Sequence, residues 1–142
     1  IMAITSAVCT SFKVELLKAV HNFSASGGNT FKIALYTSSA SLGAATTAFS
    51  TSNEISNTSG SAYSSGGATL TNIDPAAVST TAVCDFSDVS FTANGALIYN
   101  DTASGDPAVC VIAFGADKTV TSGTFTIQFP AADASNAIIR LA

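Results

Sequence analysis

Beyond Asn29 the chain shows no helical repeat. Short apolar or alternating runs instead follow one another at intervals of about ten residues, punctuated by Gly, Ser, Asn and Pro. That rhythm restricts the fold more than any single motif, because short strands bury their apolar faces only by packing into layers. It is plainest in the C-terminal block FGADKTVTSGTFTIQFPAADASNAIIRLA, where two β-like runs flank a Gly/Ser/Thr loop and a third run, 137–141, follows. Upstream, Phe31, Ile33 and Leu35 alternate with Lys32, Ala34 and Tyr36, the period-two mark of a half-buried strand. Residues 109–114, VCVIAF, are almost continuously apolar and predict a central strand covered on both faces.

Further strands are predicted at 68–73, ended by Pro75, at 78–86, and at 136–141. Another is predicted at 124–129, with Phe125, Ile127 and Phe129 on one face and Pro130 as its stop. Segments 88–91 and 96–99 flank Asn94-Gly95, which reads as a tight turn or as a bulge within one long strand. Residues 49–55 read as a short strand or extended segment, and 100–107 as a turn cluster. The Ser/Gly-rich stretch 38–67 is expected to be the most mobile part, and 115–123 a loop. Helical spacing occurs in one place, 11–23, where Phe12, Leu16, Val20 and Phe23 form a stripe widened by Leu17. Thr10 or Ser11 is expected to cap its start, and Gly27-Gly28 to stop it. The expected organisation is an N-terminal arm, 1–10, and a single β-rich domain, 11–142. Within that domain the helix spans about 11–23, and an antiparallel β-sandwich or barrel of seven to eight strands spans about 31–141.

Charge sets the next limit. Only 10% of the 142 residues are charged, against about 25% in ordinary globular domains. Mean hydropathy is +0.43, yet no apolar run reaches the roughly 18–20 residues of a membrane helix. Weak charge favours association, so a homo-oligomer or lattice component is expected. Net charge is −4, and the basic residues Lys13, Lys18, Lys32, Lys118 and Arg140 are scattered. A phosphate footprint needs them clustered, so neither direct nucleic-acid contact nor a polybasic membrane patch is expected.

The three cysteines, Cys9, Cys84 and Cys110, show no CxxC spacing and sit in apolar contexts. They are expected to be buried free thiols in a reducing compartment, with a Cys84–Cys110 pair left open. The N-terminal segment lacks the basic start of a secretory signal, and assembly inside a cell is expected.

Candidate chemistry is sparse. His21, the single histidine, would have to be the base of any Ser-His-Asp triad, but its place near a helix end suits a packed or dipole-stabilised role. Asp85 with Asp88, and Asp101 with Asp106, are carboxylate pairs that flank turns, where Asp bonds its own backbone. Ser64-Ser65-Gly66-Gly67 resembles a phosphate-cradling loop but lacks the lysine and the following helix. Tyr36, Tyr63 and Tyr99 could face a sugar or a partner, although core packing is the expected role. No catalytic, metal or cofactor-binding residue is nominated, and an enzyme is not expected.

The stretches FKIALYTSSASL, NEIS followed by YSSGGATLTN, GALIYND, and VCVIAFGADKTVTSGTFTIQFPAADASNAIIRLA resemble a family of small structural proteins of tailed bacteriophages, many from aquatic hosts. The resemblance includes SFKVELLKAVHNF near the start and so covers nearly the whole chain. It implies a non-enzymatic virion component. A capsid decoration (cement) protein fits that resemblance best: a small β-rich homo-oligomer, a trimer by preference, clamping the major capsid protein on the outside of a shell assembled in the host cytoplasm. The alternative is a tail, fibre or adaptor component, including one that binds host surface glycan. The uncharged segment before the helix, with Ile4, Thr5, Ser6 and Val8, is the expected arm and partner interface.

Overall fold

The computed structural model of the protein describes residues 4–55, 63–90, 95–115, 126–133 and 135–141. Its centre is β7 (Gly95–Asn100), in which all six residues are buried. The strand β2 (Phe31–Tyr36) runs antiparallel along one side, pairing Phe31 with Asn100 through to Tyr36 with Gly95. Along the other side runs β8 (Ala108–Ala113), also antiparallel, with a register shift between Ile98 and Tyr99. The sheet is completed by β1 (Ala7–Val8) beside β8 and β3 (Ala68–Thr69) beside β2, giving the order β1-β8-β7-β2-β3. A second antiparallel sheet holds β4 (Asn72–Val78), β5 (Thr81–Phe86) and β10 (Ile139–Leu141), in the order β10-β5-β4. The described residues thus place eight strands in two antiparallel sheets, with a two-stranded ladder of β6 (Val89–Ser90) and β9 (Thr126–Ile127) beside them.

Residues paired across an antiparallel ladder share a face. Phe31, Ile33 and Leu35 therefore lie with Asn100, Ile98 and Ala96, and with Cys110 and Ile112 of β8. That face packs on the second sheet: Phe31 meets Phe86 of β5 at 5.6 Å, and Phe86 meets Phe129 at 6.1 Å. The opposite face carries Tyr36, Leu97 and Tyr99, and is covered by loop residues rather than by a sheet. Phe49 stacks on Tyr99 at 4.6 Å, and Ile4 forms a bridge with Leu42. The architecture is sandwich-like, with a loop layer over the outer face of its larger sheet.

The helix is shorter than the periodicity predicts. α1 spans Thr10–Leu17, and Ala19 turns into the left-handed region at φ 55°. The N–H groups of Lys18 and Val20 both close on the Glu15 carbonyl, ending the helix ahead of the glycines expected to stop it. Phe23 still reaches the core, but from an extended segment, stacking on Phe31 at 4.4 Å. Leu17, expected in the buried stripe, is 91% exposed. The cap differs too. Cys9 takes the cap position without a side-chain capping bond, and its own N–H is bonded to the Val109 carbonyl beside the β1–β8 ladder. The Ser11 hydroxyl is buried, with no hydrogen-bond partner among the described residues.

Residues 68–73, read as one strand, split between sheets: β3 pairs with β2, and β4 starts at Asn72 against β5. Pro75 does not end β4. It sits at the register shift between Ile73 and Ala76 on an edge strand, where a missing N–H costs no ladder bond. β6 and β7, on either side of 91–94, pair with different strands, so they do not form a hairpin with each other. The 91–94 connection, residues 56–62 and 116–125, and Phe125 with them, lie outside the described residues.

Gly67 ties β3 to β2. Its φ is +81°, and a Cβ there would collide with the Ile33 carbonyl. Gly105 has a similar φ of +83° but open space around it. Gly67→Ala should therefore cost about 3 kcal/mol or more, and Gly105→Ala about 1 kcal/mol, in denaturant midpoints at unchanged m-value. Equal losses would mean that backbone strain, and not the strand contact, sets the Gly67 requirement.

Candidate interaction surface

Residues 4–10 of the segment expected as an arm are built into the fold. Thr5 donates its N–H to the Leu42 carbonyl at 2.9 Å, Ser6 Oγ accepts the Ala113 N–H at 2.9 Å, and Val8 lies opposite Cys110 in the β1–β8 ladder. Cys9 is fully buried. Ile4 and Val8 are half-buried, while Thr5 and Ser6 are exposed. Residues 4–9 are therefore continuous with the sheet, through the β1–β8 ladder and the Ile4–Leu42 bridge.

Two of those residues, Ser6 and Val8, border a cleft of about 610 Å³. Ile112, Phe114, Ile127, Phe129 and Ile138 are among its walls, and among the described residues its lining carries no charge. A second apolar feature is on α1, where Leu17 and Val14, the latter 49% exposed, stand one turn apart. Leu17 falls in a buried stripe only if the helix continues through Val20 and Phe23, and it ends before them.

His21 is held in a polar network that spacing could not reveal. Asn100 Oδ1 accepts the N–H groups of Thr102 at 3.0 Å and Ala103 at 3.2 Å, which orients its amide nitrogen toward His21 Nδ1 at 3.1 Å. Nδ1 must then accept, and Nε2 carries the proton donated to Glu15 Oε2 at 2.9 Å. Asn29 Oδ1 accepts from the same Asn100 amide at 3.0 Å. The ring also packs among Phe12, Phe23 and Phe31. With both nitrogens engaged and the side chain wholly buried, His21 joins α1, the segment after it and β7. The arrangement leaves no ring nitrogen free to serve as a base.

The aspartates serve the fold in different ways. Asp88 accepts the Phe129 N–H at 2.9 Å, and Asp101 pairs with Lys32 at 3.0 Å. Asp106 turns the chain at φ 47°. Asp85, read as a turn residue, instead lies within β5 and is 2% exposed. Burial pushes its carboxyl above the usual range; the Phe86 N–H at 2.8 Å acts against that, and the charge of Asp88 adds to it.

The three tyrosines are buried, and each hydroxyl is bonded: Tyr36 to the Ser50 carbonyl at 2.6 Å, Tyr99 to the Gly66 carbonyl at 2.7 Å, and Tyr63 to Glu54. All three cysteines are free and buried. Burial pushes the Cys9 thiol up to about 11 and those of Cys84 and Cys110 up to about 12, so they behave as small apolar groups. Among the described residues no group of His, Cys, Asp or Glu is arranged to hold a metal ion, and no helix is long and apolar enough to cross a membrane.

Comparisons with family models, with curated proteins and with solved structures return no match to this chain.

Asp85 offers a pH test of the buried strand. Its folded-state pKa lies above its unfolded value, so the stability it contributes is present at low pH and lost as pH rises through the raised value. Asp85→Asn should therefore melt higher than wild type at neutral pH, and the gap should close below about pH 4. A gap that is constant with pH would mean that the carboxyl carries no burial penalty.

Proposed function

We propose that this chain is a non-enzymatic structural protein of a tailed-phage virion, a capsid decoration (cement) protein that associates with itself and with the major capsid protein on the outside of the shell. The observation that carries this reading is the pairing of inward-turned chemistry with outward-turned apolar surface. His21, Asp85 and the three tyrosine hydroxyls are engaged within the fold, whereas Leu17 is 91% exposed beside Val14. A large aliphatic side chain held in water on a rigid helix gains free energy when a partner covers it. The resemblance to tailed-phage structural proteins supplies the setting, and the scarcity of charge suits a surface that spends its working life covered.

A clamp of this kind works by burying apolar area across joints between capsid subunits. Standard interfaces bury about 1,600 Å². Repetition over a lattice makes modest individual contacts strong in aggregate. The Ser, Thr and Ala that dominate the surface lose little side-chain entropy when ordered against a partner.

The test uses shells of the parent phage stripped of the protein. Wild-type chain should co-sediment with them to saturation. Leu17→Glu should keep the wild-type melting curve within about 0.5 kcal/mol, as an exposed substitution does, yet bind at least about tenfold more weakly. Binding to tails or to host-surface glycan, with none to shells, would favour a tail, fibre or adaptor role. Unchanged shell binding by Leu17→Glu would remove the helix from the interface.

A further inference from the structure

The Ser64–Gly67 loop lacks the lysine of a phosphate loop, but it does enclose an anion. Glu54 Oε1 accepts the Tyr63 hydroxyl at 2.5 Å and the Gly66 N–H at 2.7 Å, and Oε2 accepts the Ser65 hydroxyl at 2.9 Å. The Gly67 N–H closes the turn on the Ser64 carbonyl at 2.9 Å. Gly66 and Gly67, both at positive φ, give the backbone the curvature that turns the Gly66 N–H inward. Tyr63 is 4% exposed, and its oxygen also accepts the Leu35 N–H at 3.0 Å. The Tyr99 hydroxyl holds the far side of the loop through the Gly66 carbonyl.

The bound carboxylate lies at the outer edge of β2. β3 covers that edge only at Lys32 and Ile33. Beyond it, the Ile55 N–H reaches the Leu35 carbonyl at 2.9 Å, the Thr37 N–H reaches the Asn53 carbonyl at 3.0 Å, and Glu54 bridges Tyr36. The Tyr63 hydroxyl stands where a neighbouring strand would supply a carbonyl for Leu35. An open edge is a template for pairing with another strand, so what fastens residues 53–55 there decides whether the edge is closed.

We propose that Tyr63, Ser65 and Gly66 form a binding site for a carboxylate, occupied in cis by Glu54, and that this occupancy latches residues 53–55 over the β2 edge. Three converging donors, two of them on buried or backbone groups, recognise the carboxylate itself rather than the chain that carries it. A small free carboxylate therefore takes the place of Glu54 once that side chain is removed. The inference does not rest on the virion reading.

The experiment is a melting series of wild type, Glu54→Ala, Glu54→Gln and Glu54→Ala/Tyr63→Phe in sodium formate, matched against sodium chloride. Glu54→Ala should melt several degrees below wild type and recover saturably in formate but not in chloride. Glu54→Gln, whose amide still fills the loop, should melt between the two and show no formate response. The double variant should lose the recovery. If Glu54→Ala is unfolded in chloride, the same titration is read as formate-driven return of the β signal in circular dichroism. A Glu54→Ala variant that melts with wild type overturns the latch. Recovery equal in chloride and formate, retained in the double variant, matched in Glu54→Gln, or absent altogether overturns the site.

Discussion

The burial of β7 on both faces is the constraint from which the rest of the structure follows. A strand of six buried residues needs partners along both edges and a layer over each face, and this chain meets the four demands in different ways. β2 and β8 satisfy the edges. One face is covered by the second sheet through Phe31, Phe86 and Phe129. The other is covered by loop residues, with Phe49 on Tyr99 and Ile4 with Leu42. The helix and the segment after it are then fixed by one polar anchor on the same strand, Asn100, whose amide holds His21 and Asn29 while its oxygen takes two loop N–H groups. A buried amide with its bonds filled adds direction to a core that packing alone would leave interchangeable.

This construction bears on function by using up the side chains that carry chemistry. A histidine bonded at both nitrogens, tyrosine hydroxyls tied to carbonyls and a carboxylate, and thiols pushed up by burial are structural groups. Among the described residues, what faces outward is mostly Ser, Thr and Ala with scattered charges, an apolar pair on α1, and a cleft with no charge in its lining. Surfaces of that composition suit contact with other protein chains, which is the work proposed for this one.

Elements whose cause is local could be read in the sequence. The alternation in 31–36 and the apolar run in 109–114 mark strands, and β2 and β8 lie there, although β2 is buried on both faces and not half-buried, because loop residues cover its second face. The mainly-β, antiparallel class followed from the spacing of such runs. Features set by distant partners could not be read. The helix stripe through Val20 and Phe23 mimics a repeat, but the chain turns at Ala19 because His21 is drawn to Asn100, 79 residues away. Pro75 reads as a strand stop unless the strand is known to lie at an edge. Glu54 carries no local signal at all; its meaning comes from Tyr63, Ser65 and Gly66. The Gly-rich motif is visible in the sequence, but only the fold shows that it holds the Glu54 carboxylate.

Copy number per particle is the most direct measurement of the central claim that this chain is a repeated, non-catalytic part of a virion shell. Quantitative mass spectrometry of purified particles, referenced to the major capsid protein, gives it without assuming any contact. The account predicts a ratio near one, or a fixed large fraction, as a lattice-bound clamp requires. A handful of copies per particle would contradict the decoration role and place the chain at the tail or portal end. Absence from purified particles would contradict the virion reading itself.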